Sequence, residues 1–311
     1  MTDAKLPALE ERFAELKGSR MRYFLGGEGP PLILVHGLGG AAANWTELAP
    51  LLVPNHTLLV PDLPGHGGSE ALPAVSGLEP FADRVALLAA REGMLPAPVV
   101  GHSLGGAVVL RLALRHPDEV SAVVLAAAAG LSLGSIWGRQ LQSVFSTVRP
   151  GRLAARWRGL VSRSLLLRRF VFGFVSVADP GSLTNEAVEG FLAAQLLHTD
   201  VDSAWQALRA DDPRQELEAV RCPVLVLWGA EDVQLPLDDA FEYARRLRAP
   251  LRVIPGCGHL LIGERPDACA DAIDDFLGDG SLERHHLPPE PAAGADRNST
   301  RYATTSTVLR F

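Results

Sequence analysis

The chain has 311 residues, a formal net charge of −7 and 47% apolar residues, enough for one large core with an insertion. The acidic balance argues against general nucleic-acid binding, which calls for a basic face. Three cysteines, Cys222, Cys257 and Cys269, with no C-x-x-C pair among them, suggest neither a disulfide framework nor a zinc site.

The first residues, MTDAKLPALEERFAELKGSR, carry charges throughout and no apolar run of signal-peptide length, and no apolar run in the chain reaches membrane-spanning length. A cytoplasmic protein is expected. Leu6, Leu9, Phe13 and Leu16 recur at helical spacing and predict a short amphipathic helix, followed by a strand over 21–25 and a glycine-rich turn. Short apolar runs at 32–36, at 57–62, before Ser103, and at 120–128, 222–229 and 251–255 predict further strands. Helical periodicity separates them over 80–92, after Ser103, over 237–247 and over 265–277. Strands alternating with helices predict an α/β protein, a mostly parallel, doubly wound sheet covered on both faces.

From Leu131 to about Arg214 the pattern is helical, broken at Pro150, Gly151 and Asp179-Pro180-Gly181, which predicts an insertion. Residues 1–130 and 215–278 would then form the core and 131–214 an inserted helical cap. Residues 279–311 are polar and proline-rich, a tail too poor in apolar surface to order itself. Eight arginines, at 139, 149, 152, 156, 158, 163, 168 and 169, lie between Val120 and Ala178, a stretch without Asp, Glu or Lys. Large apolar residues are interleaved with them, including Ile136, Trp137, Trp157, Leu160, Leu166 and Phe174, and these are expected to roof an apolar pocket over Ser103. Three readings of the arginines are open. They attract an anionic substrate, they rest weakly on an anionic membrane surface, or they pair with acids elsewhere while their stems cover apolar groups.

The stretch VVGHSLGGAVVL places Ser103 between a buried-strand pattern and a helix start. A strand that turns directly into a helix strains its central residue, and Gly101 and Gly105 remove β-carbons that would collide there. The hydroxyl is then exposed at the carboxyl end of the sheet, with the Leu104 amide beside it as an oxyanion donor.

These residues resemble the nucleophile elbow of the α/β-hydrolase fold superfamily, in its capped serine hydrolase, esterase-like branch. The resemblance implies an acid and a histidine further along, in the order Ser103, Asp232, His259. Asp232, in WGAEDVQLP, resembles the family's acid-bearing loop, with Glu231 as its rival, and His259, in GCGHLLIGERP, resembles its histidine loop. His36-Gly37-Leu38-Gly39-Gly40 resembles the HGxG oxyanion loop, in which the Leu38 amide, or its neighbour Gly39, would be the second donor. Asp62 to Ser69 (DLPGHGGS) reads as a loop-shaping turn, and Cys257, close to His259 but without an elbow, as a small loop residue.

The function this implies is hydrolysis of an apolar carboxylic ester through an acyl-enzyme on Ser103, with a small acyl substrate as partner and no cofactor or metal. A serine in this place excludes the branches that need an aspartate nucleophile. Thioesterase or acyltransferase action is the alternative, as is carbon–carbon bond hydrolysis, whose enzymes usually carry a tryptophan where this chain has Leu260. A reading of another class is a non-catalytic small-molecule binder on the same fold. The sequence sets no oligomeric state.

Overall fold

Runs of leucine and β-branched residues bounded by proline, glycine or helix starts become the strands of a single sheet. The computed structural model describes residues 6–73, 75–132, 150–173 and 177–278; the tail expected over 279–311, together with Ile136, Trp137 and Phe174, lies outside them. The strands are β1 (Glu10–Leu16), β2 (Ser19–Gly26), β3 (Pro31–Val35), β4 (Thr57–Pro61), β5 (Ala97–His102), β6 (Val120–Ala126), β7 (Val224–Gly229) and β8 (Leu251–Ile254). Their spatial order is β1-β2-β4-β3-β5-β6-β7-β8. From β4 onward every pairing is parallel. Such a sheet is covered on both faces, and Leu32 to Val35 and Val226 to Trp228 are wholly buried as a result.

The N-terminal segment departs from the helical expectation. Glu10–Leu16 is a strand, paired antiparallel with β2 from Glu10↔Leu25 to Leu16↔Ser19. Lys17 and Gly18, at φ 46° and 78°, form the two-residue turn between them, the positive-φ pair that matches the twist of a hairpin. Phe13, counted toward an apolar helical face, is 45% exposed and lies under the Arg20 guanidinium, 4.4 Å from its ring centroid. Cross-strand pairing therefore decides a segment whose apolar spacing alone points to a helix.

The helices of the core are α1 (Ala49–Leu52), α2 (Glu79–Arg91) and α3 (Leu104–Arg115) before the insertion. After it come α9 (Leu237–Leu247), α10 (Leu261–Glu264) and α11 (Pro266–Gly278). Between β6 and β7 the described residues form only helices: α4 (Pro150–Arg156), α5 (Arg158–Val161), α6 (Leu165–Phe172), α7 (Asn185–Ala194) and α8 (Val201–Ala210), with a 3₁₀ turn at Leu217–Ala219. Ser164, Thr184 and Asp200 cap α6, α7 and α8 by accepting the amides of Leu167, Ala187 and Ser203.

Helix α7 packs on the 3₁₀ turn Ala42–Trp45, so closely that a Cβ on Gly190 would stand 2.7 Å from the Ala43 carbonyl. Helices α4 and α5 pack in turn on α7. Ala155, Val161, Phe172, Leu183, Val188 and Leu192 make a small apolar cluster of their own, against which Leu260 leans. This layering corrects the expected roof over Ser103. Trp157, Leu160, Leu165 and Leu166 are exposed, because α7 stands between their helices and the loop beside Ser103.

Candidate active site

Ser103 sits between β5 and α3 at φ 55° and ψ −118°, a strained conformation for an L residue. The glycines around it are forced by contact. A Cβ on Gly101 would lie 2.3 Å from the Gly105 carbonyl oxygen, and one on Gly105 would lie 2.1 Å from that of Val35. The turn is pinned by backbone bonds: Ser103 N–H donates to Ala126 O (3.0 Å), and its carbonyl accepts from Gly106 and Ala129 (both 2.9 Å). Leu104 begins α3, so its amide has no helical acceptor four residues back and stands beside the serine.

The chain brings Ser103, His259 and Asp232 together from three strand ends. His259 Nε2 lies 3.0 Å from Ser103 Oγ, and His259 Nδ1 lies 2.8 Å from Asp232 Oδ2. A carboxylate only accepts, so the ring proton sits on Nδ1 and the bare Nε2 accepts from the serine hydroxyl. The other Asp232 oxygen, Oδ1, accepts the amides of Gln234 (2.8 Å) and Leu235 (2.9 Å). Its orientation is thereby fixed. Glu231, the rival acid, faces elsewhere and accepts the Cys257 amide at 2.7 Å, tying the acid loop to the histidine loop. Glu264, raised above the usual carboxylate range by burial, accepts the amides of Gly258 (3.0 Å) and Ala178 (2.8 Å) and holds the histidine loop from the other side.

The loop after β3 is a β-turn closed by Gly40 N–H to Gly37 O at 3.0 Å, with Gly39 at φ 68° in the position that asks for glycine. Gly37 lies against the serine, where a Cβ would be 3.0 Å from that of Ser103. The Leu38 amide, at the second position of the turn, takes no part in closing it. Two side chains from the insertion clamp this loop: Gln195 Nε2 donates to Gly39 O at 2.6 Å, and His198 Nε2 donates to the same oxygen at 2.8 Å. Sequence reasoning passed over both. Their signal is two polar residues three apart in the apolar stretch FLAAQLLH.

Of the other histidines, His36, His66 and His102 are buried and His198 is half-buried, and all four are held neutral. His36 bridges the oxyanion-side loop to the next one, donating from Nδ1 to Gly37 O (2.8 Å) and accepting Leu63 N–H at Nε2 (2.9 Å). Burial, then the neighbouring His66, hold it well below the ordinary imidazole range. His102 donates from Nε2 to the His259 carbonyl at 2.9 Å, and burial pushes it down to about 3. His198, down to about 3, and His66 are lowered first by burial as well. Asp62 shapes its loop as expected, accepting the Ala42 amide (2.7 Å), the Gly68 amide (2.8 Å) and the buried Arg22 guanidinium (2.6 Å). Cys257 is fully buried and its thiol is pushed up by burial, away from thiolate chemistry. Among the described residues no three His, Cys, Asp or Glu side chains converge to hold a metal ion, and no helix is long and apolar enough to cross a membrane.

Comparison with known proteins gives the chain's family. Over 273 residues the chain is 34% identical to a dihydrolipoyllysine-residue acetyltransferase component of an acetoin cleaving system from Pseudomonas putida, a match spanning 85% of this chain and 68% of that one. It is 33% identical over 269 residues to a pimeloyl-[acyl-carrier protein] methyl ester esterase from Aromatoleum aromaticum, spanning 80% and 98%. It is 30% identical over 282 residues to a 2-hydroxymuconate semialdehyde hydrolase from Pseudomonas sp., spanning 84% and 92%. The family model for the alpha/beta hydrolase fold matches residues 30–266, and the chain belongs to the α/β-hydrolase fold family.

Proposed function

We propose that the protein is a serine hydrolase that cleaves an apolar carboxylic ester through an acyl-enzyme on Ser103. The reading rests on one observation, the hydrogen-bond chain from Ser103 through His259 to Asp232. Ser103 Oγ attacks the ester carbonyl carbon while His259 Nε2 takes its proton, and the oxyanion is received by the amides of Leu104 and Leu38. His259 returns that proton to the leaving alcohol, which departs and leaves the acyl group on Ser103. Water then repeats the attack, His259 again moving the proton, and the free acid leaves with Ser103 restored. Asp232 holds the imidazole in its productive tautomer and faces the imidazolium that forms. The inserted helices act as a cap, with Gln195 and His198 as positioning residues for the Leu38 turn.

Kinship with an ester esterase supports ester cleavage, and kinship with a semialdehyde hydrolase favours a second reading, carbon–carbon bond hydrolysis by the same serine. The acetyltransferase relative adds acyl transfer to an acceptor other than water. One purified sample offered p-nitrophenyl esters of rising acyl length, acyl-CoA thioesters and 2-hydroxymuconate semialdehyde separates these by kcat/KM. An organophosphonate is expected to label Ser103, and Asp232→Asn to lower kcat by about 10⁴-fold while the fold persists. Label found elsewhere, or Ser103→Ala turning over like the parent, would sink the assignment; no turnover of any of these esters, thioesters or the semialdehyde would return the non-catalytic binder.

A further inference from the structure

Helices α4 to α6 are the outer layer of the insertion, on the far side of α7 from the Ala42–Trp45 turn. Leu153, Trp157, Leu160, Leu165 and Leu166 are exposed there, from 47% at Leu165 to 77% at Leu166. Arg152, Arg156, Arg163 and Arg169, also exposed, alternate with them along the chain. A single exposed leucine needs no explanation, but five large apolar side chains exposed within the stretch 153–166 are an excess of exposed apolar surface.

No Asp, Glu or Lys occurs between Val120 and Ala178, and among the described residues no carboxylate lies within ion-pair distance of these four. Arg152 instead donates to the carbonyls of Gln195 (3.3 Å) and His198 (3.4 Å). Among the described residues, then, these four side chains do not follow the third reading the sequence left open, pairing with acids elsewhere. The face stays basic on a chain of net −7.

We propose that this face docks on an anionic lipid surface. Trp157, Leu160 and Leu166 enter the boundary between headgroups and acyl chains, and Arg156, Arg163 and Arg169 meet lipid phosphates. Guanidinium is weakly hydrated and matches phosphate with paired donors. Tryptophan is suited to the membrane–water boundary, and leucine to the hydrocarbon beneath it. A second copy of the chain fits worse, because an isologous dimer would press this face on itself and bring arginine against arginine. Helices α4 and α5 cover α7, and α7 covers the turn after the Leu38 loop, so docking sets that loop on the lipid-facing side. The docking does not depend on the hydrolytic reading, since binding is measured without turnover.

The test is co-sedimentation of the full chain with vesicles of phosphatidylcholine, with or without phosphatidylglycerol. Binding to the anionic vesicles alone is expected, falling with added salt, which screens exposed charges beyond about 10 Å at 0.1 M. The combined variant Arg156→Gln, Arg163→Gln, Arg169→Gln should weaken it by up to about fivefold per arginine. Leu160→Ser with Leu166→Ser should weaken it too, while circular dichroism and melting stay those of the parent. Brominated lipid should quench tryptophan emission in the parent, and Trp157→Phe should lose most of that quenching. No binding at low salt, equal binding to neutral vesicles, an arginine variant that binds like the parent, or full quenching in Trp157→Phe overturns the proposal. A dimer in sedimentation equilibrium that Leu166→Ser abolishes, with no lipid binding, gives the face to a second copy instead.

Discussion

At Ser103 the backbone is held at φ 55°, which costs a residue with a side chain roughly 1–3 kcal/mol. Glycine is free of that cost, although elsewhere it is less stable than alanine by about 0.5–1 kcal/mol because it loosens the unfolded chain. At this position the ranking should vanish or reverse: Ser103→Gly is expected to resist urea at least as well as Ser103→Ala, with both inactive. If the glycine variant unfolds first by the ordinary margin, the serine is not strained. The same strain made this residue legible in the sequence, because only glycines at 101 and 105 admit such a turn. Asp232 and His259 were legible from chain order and strand ends. Asp232 is preferred to Glu231 in the sequence through its likeness to the family's acid-bearing loop, and the structure turns Asp232 to His259 and Glu231 to the Cys257 amide.

Among the elements, the elbow is a contact between helix α3 and its neighbours that tolerates no added atom. A Cβ on Gly106 would meet the Ala128 side chain at 2.4 Å, and one on Gly105 the Val35 carbonyl at 2.1 Å. Gly106→Ala is expected to cost about 1–3 kcal/mol, and Gly105→Ala more, because its Cβ would press on two backbone carbonyls at once, those of Val35 at 2.1 Å and His36 at 2.6 Å. Urea midpoints of the two variants check the order, and equal midpoints would argue against it. Helix α7 and the residues after it do a different task, holding the Gly39 carbonyl through Gln195 and His198. Replacing both by alanine should lower kcat by roughly tenfold, less than the 10²–10³ for losing an oxyanion donor outright, with KM little changed; a change in KM alone would assign them to substrate binding. The two polar residues in FLAAQLLH mark the pair locally but not what it binds, because the shared partner lies 156 residues away from Gln195 and 159 from His198. The β1–β2 hairpin was hidden for another reason: its signal is the Lys17-Gly18 turn, which the helical spacing of the flanking apolar residues masked.

Over the whole molecule, the buried histidines link stability to pH. His36, His66, His102 and His198 all titrate below the ordinary imidazole value of 6.5 when folded, chiefly through burial. The unfolded chain takes up their protons near pH 6.5 while the folded chain does not, so their stabilisation is complete above that pH and is lost as pH falls toward the folded values. His102 and His198, at about 3 when folded, should each cost about 1.4 kcal/mol between pH 7.5 and 5.5, and the lowering of His36 and His66 adds to this. Asp211, Asp239 and Glu264, raised mainly by burial, work in the opposite sense at the acid end of that window and take back part of the loss. Urea unfolding at the two pH values is thus expected to show stability lower by roughly 3–5 kcal/mol at pH 5.5. His66 is the informative probe, because its Nε2 is buried without a partner among the described residues. In His66→Phe the loss of stability between the two pH values should be smaller than in the parent, because one imidazole that binds its proton less readily in the fold is gone. A loss unchanged in that variant, or one under about 1 kcal/mol in the parent, would show that these imidazoles take up protons inside the fold.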